Sequence, residues 1–254
     1  MPVLDVAIVE LHRRLRDASS ICVLTGAGMS AESGIPTFRD ALTGLWSRFD
    51  PAQLASDEGF RADPALVWAW YAERRDGVRA AQPNAGHRAL AEFAQRHPGR
   101  MTLVTQNVDD LHERAGSRNL VHMHGELRRA LCVMCGARPQ WDGDLNDRPP
   151  CPECGERVLR PDVVWFGELP YELDRIENAV VACDVFASIG TSGAVYPAAG
   201  YVALAAAFGA RTIELNLEPT DAAVPFDEAR IGRATEIVPV WVDEIVSGGW
   251  RPSR

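Results

Sequence analysis

Lysine is absent from all 254 residues, so each of the 26 basic side chains is an arginine. A GC-rich coding bias accounts for that and also suits the many alanines. Also missing is an apolar run of the ~20 residues needed to cross a bilayer, so no membrane partner is expected. The first twenty residues mix Asp5, Glu10, Arg13, Arg14 and Arg16 among their apolar positions. They read as a helix rather than an export signal, and a cytoplasmic location is the expectation. Positive charge is not in excess: 35 acidic against 26 basic residues give a formal charge of −9. That excludes nucleic acid as the main partner, because phosphate binding wants a basic surface, and it suits cationic partners. Low-complexity tracts and internal repeats are lacking. A chain of this length can bury one large core and a smaller second one.

What is present is a strand–helix alternation. Leu4, Ile8, Leu11 and Leu15 fall at helical spacing, which predicts a first helix. The apolar run Ile21–Leu24 then meets Thr25-Gly26-Ala27-Gly28, as a doubly wound nucleotide domain begins. Met101–Thr105, the second half of Val180–Ile189 and Thr212–Leu217 are further strand candidates, and Ala198 to Phe208 reads as a buried helix. This order predicts an α/β fold, a Rossmann-like parallel sheet domain. Two stretches interrupt it. Residues 33–81 are loop and helix, with a marked helix start at Asp63-Pro64, and residues 129–159 are rich in Cys, Gly and Pro. Both are read as excursions that build a smaller lobe. The expected division is therefore 1–32, 82–128 and 160–254 for the sheet domain, 33–81 for a helical module and 129–159 for a zinc-ribbon module.

The pattern Cys132-x2-Cys135, fifteen residues, Cys151-x2-Cys154 is that of two knuckles closing a tetrahedral zinc site. Disulfides do not suit a cytoplasmic chain, and two pairs favour metal over a redox pair. Four protein ligands leave no open position, so the expected ion is structural Zn(2+), one per chain. Asp142, Asp144, Asp147, Glu153 and Glu156 speak against a nucleic-acid-binding ribbon. Cys22 and Cys183, in apolar runs, read as core thiols.

Gly26-Ala27-Gly28-Met29-Ser30-Ala31 fits G-x-G-x-x-G/A, in which glycines let backbone amides approach a pyrophosphate. Such strings are common by chance. Here the chain continues through Gly34 and Pro36, which forbid the long helix that normally follows, so an ordinary dehydrogenase is disfavoured. Among the histidines, His12, His87, His97 and His112 occupy polar or helical settings and are expected at the surface. His124 follows the strand-like Leu120–Met123 and precedes Gly125, at a strand end where ligands collect; His122 competes with it. Asn107-x-Asp109 fits a ligand-binding strand end or ordinary turn chemistry. Tyr71 and Arg74 share one helix face. They suit either a carboxylate held by charge-assisted hydrogen bonds or plain exposure.

Gly26 to Arg39 resembles the NAD-binding signature of sirtuins. The similarity continues in family order through Thr105-Gln106-Asn107-Val108-Asp109, His124-Gly125, the cysteine pairs, Arg160 to Glu168, Gly190-Thr191-Ser192 and Asn216-Leu217-Glu218. The resemblance implies a protein-lysine deacylase that consumes NAD. Gly26, Ala27, Gly28, Ser30, Ala31, Thr37, Phe38 and Arg39 would then hold NAD. So would Gln106, Asn107, Asp109, Gly190, Thr191, Ser192, Asn216, Leu217, Glu218 and Ala234. Asn107 and Asp109 would orient the nicotinamide amide. The acyl oxygen would attack the nicotinamide ribose to give an alkylimidate. His124 would accept a ribose hydroxyl proton, and water would release lysine and O-acyl-ADP-ribose.

Val163, Trp165, Phe166 and Gly167 would lie on a strand, Val163 to Glu168, that pairs with substrate peptide. Tyr71-x-x-Arg74 resembles class III sirtuins, which accept succinyl- and malonyl-lysine, and Ala55 matches the small residue that widens their acyl pocket; acetyl is expected to be accepted as well. The linker Asp40–Leu45 is longer than in close relatives. Acylated lysine-containing proteins or peptides are the expected partners, and the chain is expected to be a monomer. The absence of lysine would let a lysine-modifying enzyme escape acylation. A protein mono-ADP-ribosyltransferase and a non-enzymatic NAD-sensing scaffold are the alternative readings.

Overall fold

The structure is a computed structural model that describes residues 20–36, 49–97 and 99–247. The helix expected over Leu4–Leu15, His12, the loop residues Thr37, Phe38 and Arg39, and the linker Asp40–Leu45 lie outside the described residues. The strands are β1 (Ser20–Thr25), β2 (Arg100–Thr105), β3 (Leu120–His122), β4 (Gly125–Cys132), β5 (Leu159–Val163), β6 (Val185–Ile189), β7 (Arg211–Asn216) and β8 (Glu228–Ile231). The helices are α1 (Pro51–Leu54), α2 (Asp57–Ala62), α3 (Pro64–Ala80), α4 (Ala85–Arg96), α5 (Leu111–Arg114), α6 (Leu173–Val181), α7 (Tyr201–Ala207) and α8 (Ala234–Ser247).

Six strands form one sheet in the order β3-β2-β1-β6-β7-β8, every pair parallel. β1 is buried along its whole length, as a central parallel strand covered on both faces must be. Its side chains alternate. Ile21 and Val23 join Leu90, Phe93, Val238 and Trp241 from α4 and α8. Cys22 and Leu24 join Ile176, Val180, Tyr201 and Val202 from the α6 and α7 side. Cys22 and Cys183 are core thiols on that second face, and burial pushes the Cys183 thiol up to about 11. The strand order reverses between β1 and β6. Loops leaving their carboxyl ends therefore diverge and open a crevice at this switch point.

The second half of Val180–Ile189 forms β6, while its first residues close α6. Ala198–Gly200 is a 3-10 turn leading into α7. Asp63 caps α3 by accepting the Leu66 amide at 3.0 Å, with Pro64 in the first turn. From α3, Val67, Trp70, Tyr71 and Val78 pack with Leu127, Val163 and Trp165. Trp68 leaves the same helix toward Ala130, Cys132, Leu145, Cys151 and Leu159. β4 and β5 pair antiparallel between these two clusters. Arg75 is buried and donates to the Leu127 carbonyl at 2.8 Å and the Gly143 carbonyl at 3.2 Å, which stitches the helix to this ribbon.

The histidine expectation is corrected: His87, His97 and His112 are buried, not superficial. Polar neighbours in sequence concealed inward positions. Asn84 caps α4 by accepting the Gly86 and His87 amides, while His87 Nδ1 accepts the Asn84 amide at 3.3 Å. His112 reaches Thr25 Oγ1 at 3.1 Å, and His97 packs on the Phe93 ring. Burial holds His87 down to about 4 and His112 well below the ordinary 6.5. Both are neutral when folded and take up a proton when unfolded. The share of stability from His87 is therefore complete above pH 6.5 and is lost as pH falls toward about 4, and that from His112 is lost in the same direction. His87 should cost about 1.4 kcal/mol per pH unit inside that window. Urea titrations across the window test this; a His87→Asn variant should show a shallower slope, and an unchanged slope would contradict the assignment.

Candidate active site

At the switch point the turn after β1 touches the turn after β6, backbone against backbone. The Gly26 amide donates to the Ile189 carbonyl at 3.0 Å, and the Gly28 amide to the Gly190 carbonyl at 2.9 Å. A Cβ on Gly26 would lie 2.7 Å from the Gly190 oxygen, and one on Gly190, whose φ is +62°, would lie 2.5 Å from the Met29 nitrogen. The amides of Gly26 and Gly28 are therefore both bonded inside the protein, and these glycines serve close approach. Two 3-10 turns, Ala27–Met29 and Ala31–Ser33, stand in place of a long helix.

Asn216 Nδ2 donates to the Thr191 carbonyl at 2.8 Å, which fixes the Gly190-Thr191-Ser192 turn. Leu217 and Glu218 are exposed beside it, and Ala234 is buried at the start of α8. Glu32 ties the glycine turn to that helix by accepting the Thr235 amide and hydroxyl at 3.0 and 2.7 Å.

Next to this rim lies a cavity of about 700 Å³. Ala27 and Ser30 line it from the first turn, Gln106, Asn107 and Asp109 from the segment after β2, and His124 from the turn between β3 and β4. Ala55, Tyr71 and Arg74 enter from the smaller lobe, with Val163 at the end of β5 and Trp165, Phe166 and Gly167 after it. Segments far apart in sequence thus converge on one space. Gly190–Ser192, Asn216–Glu218 and Ala234 are not part of its wall. Val195 and Tyr196 are, and nothing in the sequence marked them.

Hydrogen-bond directions identify what each polar group can do. His124 Nδ1–H donates to the Gln106 carbonyl at 3.1 Å, so Nε2 keeps its lone pair. Burial lowers its pKa, and the Gln106 carbonyl opposes that in part. His122 differs. Its Nδ1 faces the Asn107 carbonyl at 3.2 Å and its Nε2 the Glu113 carboxylate at 2.5 Å. Two acceptors require two ring protons, so His122 is an imidazolium bound in an ion pair. Burial works against that charge, but Glu113 prevails and the pKa rises. His124 is thereby separated from its neighbour.

Ser30 is the hub. His87 has its Nδ1 occupied as an acceptor, so Nε2–H donates to Ser30 Oγ at 3.3 Å. Asn107 Nδ2 donates to the same oxygen at 3.0 Å. The Ser30 proton then goes to the Asp109 carboxylate, which also accepts the Leu111 amide at 3.0 Å. Burial raises the Asp109 pKa against these bonds. His87 was missed as a site-supporting residue in the sequence; Asn84-x-x-His87, a reciprocal cap, is the signal that finds it.

At the far end of the cavity Tyr71 is buried and its Oη accepts the Trp165 indole N–H at 2.9 Å. The Arg74 guanidinium lies 4.7 Å from the Trp70 ring centre and 5.9 Å from that of Tyr71. Ala55 is buried, and its carbonyl accepts the Phe166 amide at 2.9 Å. The strand expected over Val163 to Glu168 is corrected. Only Val163 belongs to β5, paired with Gly125. Beyond it the Glu168 carboxylate folds back onto the Trp165 amide and Arg160, and Gly167, at φ +87°, makes the turn.

Apart from this cavity, the Sγ atoms of Cys132, Cys135, Cys151 and Cys154 lie within 4.8 Å of one another. The Cys132–Cys154 and Cys135–Cys151 separations are 3.7 and 3.8 Å. A tetrahedron of sulfurs about 2.3 Å from zinc has edges of about 3.8 Å, so the spacing fits. Each knuckle closes alike: the Gly136 amide bonds the Cys132 carbonyl and the Gly155 amide the Cys151 carbonyl, both at 2.9 Å. Among the described residues no helix is long and apolar enough to cross a membrane.

Comparison with known proteins matches residues 26–197 to the Sir2 family. A protein from Pasteurella multocida named NAD-dependent protein deacylase is 51% identical over 229 residues, covering 89% of this chain and 97% of its own length. A protein of the same name from Caulobacter vibrioides is 49% identical, covering 92% and 99%. Among solved structures, a Sir2 homologue in complex with NAD superposes with a TM-score of 0.86 at 41% identity, covering 94% of each chain. Another Sir2 protein, bound to a myristoylated histone peptide, gives 0.74 at 33% identity, covering 95% and 97%. Family model, curated relatives and solved structures agree with one another and with the fold: the chain belongs to the Sir2 family, the sirtuins.

Proposed function

We propose that this chain removes acyl groups from protein lysine side chains with NAD as co-substrate, preferring succinyl and malonyl and also accepting acetyl. The carrying observation is one cavity with a basic imidazole nitrogen at one end and a phenol beside a guanidinium at the other. The deacylase names of the relatives, and family structures holding NAD or an acylated histone peptide, support it.

Bound NAD supplies an electrophilic ribose carbon with a cationic leaving group. Around it, Asn107 and Asp109 orient a carboxamide through Ser30, and His124 Nε2 accepts a hydroxyl proton. Ala27 and Ser30, with the Gly190-Thr191-Ser192 turn, Asn216-Leu217-Glu218 and Ala234, hold the nucleotide, and Thr37, Phe38 and Arg39 complete that site. Tyr71 and Arg74 bind the acyl carboxylate, Ala55 leaves it room, and Val163 to Gly167 flank the substrate backbone. The four cysteines hold a structural zinc. In this reading residues 1–32, 82–128 and 160–254 form the NAD domain, with 33–81 and 129–159 as the two modules of the smaller lobe.

Arg74→Met should lower kcat/KM for a succinyl-lysine peptide about 10- to 100-fold, since a hydrogen bond to a charged group contributes ~1.5–3 kcal/mol. Acetyl peptide should lose far less, and equal losses would refute the carboxylate assignment. His124→Ala should cost about 10²–10⁴-fold. In the parent enzyme kcat/KM should rise with pH as His124 loses its proton, with a midpoint below the ordinary 6.5 because burial disfavours the imidazolium. A midpoint above that value would point to another base. Metal analysis should find one zinc per chain. Chelation should lower both thermal stability and activity, and a metal-free chain with unaltered stability would remove the structural role.

A further inference from the structure

The buried 2.9 Å bond from Trp165 Nε1–H to Tyr71 Oη fixes a direction as well as a position. An indole N–H can only donate, so the phenol oxygen is the acceptor. Its in-plane lone pair is then occupied, and the other is conjugated into the ring. The phenol proton is left to point elsewhere, and among the described residues no acceptor takes it. Burial keeps that proton in place by pushing the phenol up to about 12. The Arg74 guanidinium, also on the cavity wall, has donors only. Tyr71 therefore meets a ligand as a donor, and any bond that Arg74 makes to a ligand is a donated one.

Trp165 is held firmly enough to impose this. The Arg160 guanidinium stacks 3.9 Å from its ring centre. The Glu168 carboxylate grips Arg160 at 2.7 and 2.9 Å and takes the Trp165 backbone N–H at 2.9 Å. Resting on the assignment of Tyr71 and Arg74 to the acyl terminus, we infer that Trp165 is a positioning residue that makes Tyr71 an obligate donor. The pocket then takes acyl chains ending in a carboxylate and rejects the equally large neutral carboxamide. A carboxamide offers one accepting oxygen where the carboxylate offers two, so it can satisfy both donors only through that single oxygen, and its own N–H₂ then has no acceptor at this end of the pocket.

The test compares lysine peptides carrying succinyl or succinamoyl, its terminal carboxamide, in the parent enzyme and in W165F, Y71F and the double variant. The readout is the succinyl-to-succinamoyl ratio of kcat/KM, which does not depend on the fraction of enzyme that is folded. The parent ratio should be about 100-fold or more. W165F should lower it about tenfold, because the freed phenol can turn and accept, and Y71F should lower it similarly. In the Y71F background W165F should change it less than about twofold.

A W165F ratio equal to the parent value, or an equal effect with and without Tyr71, overturns the inference while leaving the carboxylate assignment intact if Arg74→Met still abolishes succinyl preference. An unchanged succinyl-to-acetyl ratio in both Y71F and Arg74→Met overturns the assignment itself. Should W165F yield no folded protein, a parent ratio near one is sufficient to overturn the inference.

Discussion

Two turns touch at the centre of the sheet with no side chain between them, and the arrangement of the site depends on that contact. Gly26 and Gly28 bond the carbonyls of Ile189 and Gly190, and a methyl group on Gly26, Gly28 or Gly190 would collide with backbone. Backbone cannot yield as a flexible side chain does. The close approach therefore fixes where the chain leaves β1. From there a 3-10 turn delivers Ser30 beside the segment that follows β2, within reach of Asn107. If the two turns stood further apart, the hub on Ser30 would lose its geometry before any ligand arrived.

The hub converts that geometry into chemistry because its proton directions are determined. Asn84 fills one nitrogen of His87, so the other donates; Asn107 also donates; the hydroxyl proton of Ser30 is left for Asp109. Each buried group has one available role, so the orientation of Asn107 does not have to be fixed by ligand. His124 and His122 illustrate the same logic with opposite results. One faces a carbonyl and keeps a basic nitrogen, while the other faces a carbonyl and a carboxylate and is committed to charge.

Much of this was legible from residues alone. Ile21–Leu24 followed by glycines, the strand candidates and the helix start at Asp63-Pro64 rest on local patterns, and local patterns survive folding. The cysteine spacing was legible because two-residue knuckles nearly dictate their own closure. His87 and His112 were not, since inward orientation depends on how α4 and α5 sit on the sheet, a long-range outcome. Nor was the use of the Gly26 and Gly28 amides, because their acceptors lie more than 160 residues away. The run after Val163 has strand-like composition, yet Glu168 bends it back through bonds that no periodicity announces.

The smaller lobe links the cysteine cluster to the acyl end of the cavity through one helix. α3 is covered on two sides: Trp68 by Cys132, Cys151 and Leu145, and Trp70 and Tyr71 by Leu127, Val163 and Trp165. A helix with two apolar faces is stable only while both are covered. The cysteine knuckles are short loops, and Val133 and Met134 of the first are exposed rather than packed inward, so whatever holds the four sulfurs together also holds the cover over Trp68. Loosening that face would free α3 to rotate or fray. Tyr71 and Arg74 would then leave the cavity wall, although Tyr71 packs in a different cluster from the cysteines. A bound metal there would thus act on substrate recognition through helix packing, without touching the substrate.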